Sequence, residues 1–117
     1  MSEYDLKKRT LQFALRIIQL CESLPIGRTS DMISRQLVKC GTSVGANYRA
    51  ARRGRSKADF IAKMGIVEEE CDESIYWMEL LIEAGIIEEK KLKDLIDEAN
   101  QILSIVVTSI KTARFHK

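Results

Sequence analysis

The chain has 117 residues, of which 45% are hydrophobic and 31% charged, with a formal net charge of +2. That length fits one domain over residues 1–117, and the composition excludes both a disordered tail and a membrane-embedded protein. One proline, six glycines and seven aromatic residues argue for long helices and against a β-sandwich or barrel.

No apolar run approaches the roughly 20 residues of a membrane helix. Met1 to Arg9 runs into charge instead of an apolar leader, so a secretory signal is not expected. Cys21, Cys40 and Cys71 are odd in number and lack CxxC spacing. They read as small buried side chains of a reducing compartment, with the cytoplasm as the default location.

The first helix is expected from about Asp5 to Leu24. Leu6, Thr10, Phe13, Ile17, Leu20 and Leu24 alternate spacings of four and three, a stripe that must face a partner. Pro25 and Gly27 stop it. The second helix restarts with Thr29 or Ser30 as N-cap and Asp31 in its first turn. Its apolar line is Ile33, Leu37, Cys40, Val44, Tyr48 and Ala51. Gly41 and Gly45 lie near that line, where each glycine costs ~1 kcal/mol relative to alanine. Close approach of a neighbouring helix and a local kink are the two explanations.

Arg53-Gly54-Arg55-Ser56 makes a tight turn, and Ser56 with Asp59 has capping-box spacing. The third helix carries Phe60, Met64, Val67, Cys71, Ser74, Met78 and Leu81 on one line. Ile66, Trp77, Leu80 and Ala84 form a second stripe, so the helix is either central or buried against another subunit. Gly85 ends it. The fourth helix begins near Glu88 and buries Leu92, Leu95, Ala99, Ile102, Val106, Ile110 and Ala113. Short connections force antiparallel neighbours, so the predicted fold class is all-α, an up-down-up-down four-helix bundle.

Residues 28–57 carry +7 and residues 58–100 carry −9. In an alternating bundle, the start of helix 1, the helix 2–3 turn and the end of helix 4 share one end. That end gathers Lys7, Lys8, Arg9, Arg49, Arg52, Arg53, Arg55, Lys57, Lys63, Lys111, Arg114 and Lys117. Only Glu3, Asp5 and Asp59 oppose them, for a local +9 and a remainder of −7. Cations stabilise helix C-termini by ~0.3–1 kcal/mol each, which accounts for Arg49, Arg52, Arg53, Lys111 and Arg114 as solvated ends. It does not account for Lys7, Lys8, Arg9, Lys57 and Lys63, which sit near helix starts. A polyanion is the natural ligand of such a cluster, because each neutralised phosphate releases counterions. No base-reading motif is present, so contacts to a nucleic-acid backbone, RNA in the first instance, are expected. An acidic protein partner is the alternative.

Catalysis is not expected. The single histidine, His116, is one residue from the last, which leaves no Ser-His or Cys-His pair. Glu68 to Glu73 invites a di-metal reading, but the Glu-x-x-His pairs of ferritin-like sites are missing. No metal and no cofactor are expected. Glu70, Glu73 and Trp77 share the second face of helix 3, and with Ile66 and Leu80 they read as a subunit interface.

The run from Gly41 through Ala46-Asn47-Tyr48-Arg49 and Arg52-Arg53-Gly54-Arg55-Ser56 to Glu70 is more specific than any heptad. With Arg35-Gln36-Leu37 before it and Glu79-Leu80-Leu81 and Gly85 after it, the whole chain resembles the 23S rRNA-intervening sequence protein family. That resemblance implies a homopentamer shaped like a short barrel with a central channel, and tight helix packing at the small residues Gly41, Gly45 and Ala46 of its motif. It also implies similarity to the accessory protein of diversity-generating retroelements, which partners a reverse transcriptase and nucleic acid. Some members have Glu-Gly where this chain has Ala51-Arg52, which makes the turn here more basic.

Overall fold

A computed structural model describes residues 3–116. It contains four α-helices, α1 (Glu3–Glu22), α2 (Arg28–Arg52), α3 (Lys57–Glu83) and α4 (Glu89–Phe115), and no strand among the described residues. Each helix packs on its neighbours in sequence, and α1 meets α4 to close the ring, so α1 and α3 stand on one diagonal. The result is a rod of 50 × 22 × 21 Å. The antiparallel four-helix bundle is thus the fold of this chain.

The heptad lines become the core. Phe13, Ile17, Leu37, Val44, Val67, Met78, Leu81, Leu92, Ile102 and Val106 are completely buried. Leu20, Leu24, Phe60 and Ala113 sit at the margin, half-buried. Gly41 and Gly45 serve close approach. A Cβ on Gly41 would lie 3.0 Å from the Ile17 side chain, and one on Gly45 would lie 3.0 Å from Thr10 Oγ1. The helix cost of both glycines is offset by the nearness of α1 to α2. Thr10 is itself buried and donates its hydroxyl to the Lys7 carbonyl at 3.1 Å.

Two helix ends follow the expected chemistry and one does not. Ser56 accepts a hydrogen bond from the Asp59 N–H at 3.0 Å, while the Asp59 carboxylate accepts from the Arg55 N–H at 3.1 Å. One orphan donor of the first turn of α3 and the N–H of the residue before its N-cap are thereby satisfied. At the other end of α3, Gly85 takes φ +73°. Its N–H reaches the Ile82 carbonyl and the Ile86 N–H reaches Leu81, the paired bonds of a Schellman stop. In contrast, α2 starts at Arg28, with Gly27 as N-cap and no side-chain cap. Thr29 and Ser30 are already inside the first turn, so neither can cap it; Ser30 is buried instead.

The seam between α1 and α4 is joined by an ion pair far apart in sequence. Arg9 donates through Nε to Glu98 at 2.9 Å and through Nη2 to the other Glu98 oxygen, and reaches Gln101 at 3.0 Å. A two-pronged guanidinium–carboxylate contact fixes orientation as well as distance.

Candidate nucleic-acid interface

Alternating topology brings the start of α1, the α2–α3 turn and the end of α4 to one end of the rod. The turn is tight because Gly54 leaves room for it. A Cβ there would lie 3.0 Å from the Ala51 carbonyl oxygen and 3.2 Å from the Phe60 nitrogen. Closing the turn this sharply pushes Arg53, Arg55 and Lys57 outward, and all three are exposed. Arg52 lies over the Phe60 ring, 5.9 Å from its centre, a cation–π contact that steadies its guanidinium.

The twelve expected cations divide into groups. Arg9 is committed to Glu98, and Lys63 pairs with Asp59 at 2.9 Å. That lysine and the Arg55 N–H hold the Asp59 carboxyl below its ordinary range. Lys7, Lys8, Arg49, Arg53, Lys57, Lys111 and Arg114 are exposed and make no ion pair among the described residues. Lys117 lies outside the described residues, as does the side chain of Glu3, one of the three opposing acids.

These cations line two open depressions. Ala50, Arg53, Arg55, Asp59 and Lys63 surround a polar one of about 480 Å³ beside the turn. Lys7, Arg49 and Arg53 flank an apolar groove of about 500 Å³ between α1 and α2, walled by Leu11, Leu15 and Ile18. Gly45 and Ala46 line this groove too, with Ala46 exposed instead of packed in the helix contact. Tyr48, the aromatic nearest the basic run in sequence, is buried at 3% exposure and offers no face to a base. Phe115, at the end of α4, is 84% exposed beside Arg114 and is an aromatic ring available at this end.

On α3 the structure gathers Glu70, Glu73 and Trp77 on one flank. Trp77 Nε1 donates to Glu73 at 3.4 Å, and its ring meets Tyr76 edge-on at 5.1 Å. Trp77 and Leu80 are half-buried against their own core, while Ile66 and Glu73 are exposed. Burial and the neighbouring Glu73 push the Glu70 carboxyl up, as expected of an acid-rich flank. Two features escaped the reading of the sequence. Leu11, Leu15 and Ile18 are 48%, 45% and 39% exposed along α1, and Tyr76 is 56% exposed on α3. The spacing of four and three that marks the α1 stripe was available, but the stronger core heptad on the same helix overshadowed it.

Cys40 and Cys71 belong to the interior, whereas Cys21, expected to be buried with them, is half-buried at the rim of an open depression because it lies near the end of α1. Cys71 Sγ donates to the Ala99 carbonyl at 3.2 Å, and Ser74 Oγ donates to Cys40 Sγ at 3.3 Å. Burial pushes Cys40 up to about 11 and Cys71 up to about 12 from the ordinary 9.0, the reverse of an activated nucleophile. Folding therefore holds protons that the unfolded thiols release. Stability from this source is complete below about pH 9 and is lost as pH rises from there through the folded values. Urea titrations between pH 8 and 10.5 should show a falling midpoint, and a Cys40→Ala/Cys71→Ala variant should fall less steeply. Among the described residues, no three His, Cys, Asp or Glu side chains gather as metal ligands, and no helix is long and apolar enough to cross a membrane.

None of the curated protein sequences matches the chain. A crystal structure from Bacteroides thetaiotaomicron VPI-5482, described as a protein of unknown function from the S23 ribosomal protein family, superposes with a TM-score of 0.88. It is 34% identical, over 95% of this chain and 99% of that one. The family model described as 23S rRNA-intervening sequence protein matches residues 2–108, a span that holds the glycine contacts, the basic turn and the acidic flank of α3 alike. With three helices, the basic turn, the packing glycines and α4 as far as residue 108 inside that match, the chain belongs to the 23S rRNA-intervening sequence protein family.

Proposed function

We propose that this chain is a non-enzymatic, oligomeric nucleic-acid-binding protein of the cytoplasm that holds RNA through its phosphates on the basic end of the bundle. The observation that carries this reading is the set of seven exposed cations that make no ion pair among the described residues, at one end of a chain whose net charge is only +2. Like charges crowded this way repel unless an anion shares the site. Contacts of this kind give affinity without sequence preference. The family's name ties it to intervening sequences of 23S rRNA, which favours RNA over DNA. The test is binding to structured RNA over a salt series: a steep fall with salt is expected, and absence of binding at low salt overturns the reading.

The assembly we propose is a homopentamer, with five basic ends forming one cationic rim. The exposed apolar side chains on α1 and α3 support association. Light scattering of nuclease-treated protein should give the mass of five chains, and a monomer at micromolar concentration would contradict it. A scaffold that docks an acidic protein partner, such as a reverse transcriptase or ribosome-associated factor, is the second reading. It is favoured by the burial of Tyr48, which removes one base-stacking ring from the site. A pull-down that survives nuclease treatment would select it.

A further inference from the structure

We propose that the groove between α1 and α2 receives the outer face of α3 from a second copy of this chain, in a head-to-tail contact. This rests on the oligomeric reading above and specifies its surfaces. The groove presents an apolar ridge, Leu11, Leu15 and Ile18 on α1, beside Arg49 on α2, and a second depression further along the same two helices adds the cations Arg35 and Lys39 with the acids Glu22 and Asp31. All three cations are exposed and make no ion pair among the described residues; Lys39 also acts on Glu70 of its own chain. The outer face of α3 presents the opposite charge. Glu69, Asp72, Glu73, Glu79 and Glu83 are exposed, with Tyr76 and Ile66 as apolar projections among them.

Neither face complements itself. Two α3 faces brought together would set acid against acid, and two α1–α2 faces, where Lys7, Arg35, Lys39, Arg49 and Arg53 outnumber Glu22 and Asp31, would set one cationic excess against another, an arrangement interfaces avoid. Each face complements the other, which is the mark of a heterologous contact; such contacts close into rings when the rotation allows.

The heights agree as well. Ile17 lies against Gly41, and Ser74 lies against Cys40, so these residues share one layer of the bundle. At that layer the α1–α2 face offers Leu15 and Ile18 from the groove and Lys39 from the neighbouring depression, and the outer face of α3 offers Glu73 and Tyr76. A rotation axis along the bundle leaves every layer at its own height, so these groups meet without sliding. The same operation points every basic end in one direction.

Paired cysteines test the contact on the full chain after nuclease treatment. Leu15→Cys with Glu73→Cys should give a disulfide-linked ladder under mild oxidation, whereas either change alone should not; the natural cysteines are the same in all three proteins. Charge reversal gives a second readout. Arg35→Glu with Lys39→Glu should reduce the particle to a monomer, and adding Glu69→Lys with Glu73→Lys should restore the assembled mass. Dimers from Glu73→Cys alone, or an assembled particle with no Leu15–Glu73 ladder, overturn the head-to-tail contact and leave the oligomer standing. A wild-type monomer overturns both.

Discussion

Replacing Arg52, Arg53 and Arg55 together with alanine should weaken binding to structured RNA several-hundredfold at about 0.1 M salt. The estimate follows from counterion release. Each phosphate contact contributes about 0.9 to the slope of log affinity against log salt, so at ~0.1 M it is worth ~8-fold and three are worth ~500-fold. The slope itself should drop by ~2.7. These side chains suit the experiment because the protein does not need them to fold. Arg53 and Arg55 are exposed, and Arg52 lies on the surface over Phe60. Losing favourable charge at the end of α2 costs only ~0.3–1 kcal/mol per residue. The assembled mass should therefore stay unchanged. Lysine at the same three positions should keep most of the slope, because a phosphate needs a positive charge more than a planar fork. Affinity that survives the alanine change would place the RNA elsewhere.

How far the site could be read from the sequence depended on how local its causes are. The bundle rests on spacings of three and four within single helices, and Phe13, Leu37, Val67 and Ile102 are buried as those spacings require. Ser56 with Asp59 and the stop at Gly85 are equally local, each decided within four residues. The cap of α2 was less legible, because Gly27, Thr29 and Ser30 all suit a helix start and only the backbone decides among them. The fate of Arg9 could not be read at all. Its partner Glu98 is 89 residues away, and no periodicity says which acid of α4 will face which base of α1. Lys63 is the opposite case: its charge counts towards the basic end, but Asp59 one turn before it on the same helix answers it, a pairing the spacing of four already offers. The structure thus leaves the end strongly basic with fewer free cations, concentrated on the α2–α3 turn, the start of α1 and the end of α4.

Gly41→Leu should cost the protein about 2 kcal/mol or more of stability, through a single contact between α1 and α2. A Cβ at position 41 would already lie 3.0 Å from both γ carbons of Ile17 and 3.3 Å from its β carbon, and Ile17 is fully buried. Leucine adds three more carbons to that space. Overpacking of this kind costs ~1–3 kcal/mol and occasionally more, and leucine recovers at most ~1 kcal/mol of helix propensity. Relief comes only if α1 moves outward, since Gly41 sits in the middle of α2 and cannot yield. Other ties on α1 include the burial of Leu6 and Phe13 in the core, the Thr10–Gly45 contact and the Arg9–Glu98 pair on the far side. Urea denaturation should show the loss, and hydrogen exchange should place the faster opening in α1. Gly65→Ala is the matched control: nothing lies within 4 Å of a Cβ there, so removing that glycine should stabilise by ~0.5–1 kcal/mol. The consequence reaches function, because α1 carries Lys7 and Lys8 to the basic end and Leu11, Leu15 and Ile18 to the groove. Loosening α1 should therefore lower RNA affinity and assembled mass together, whereas changes at the α2–α3 turn lower affinity alone.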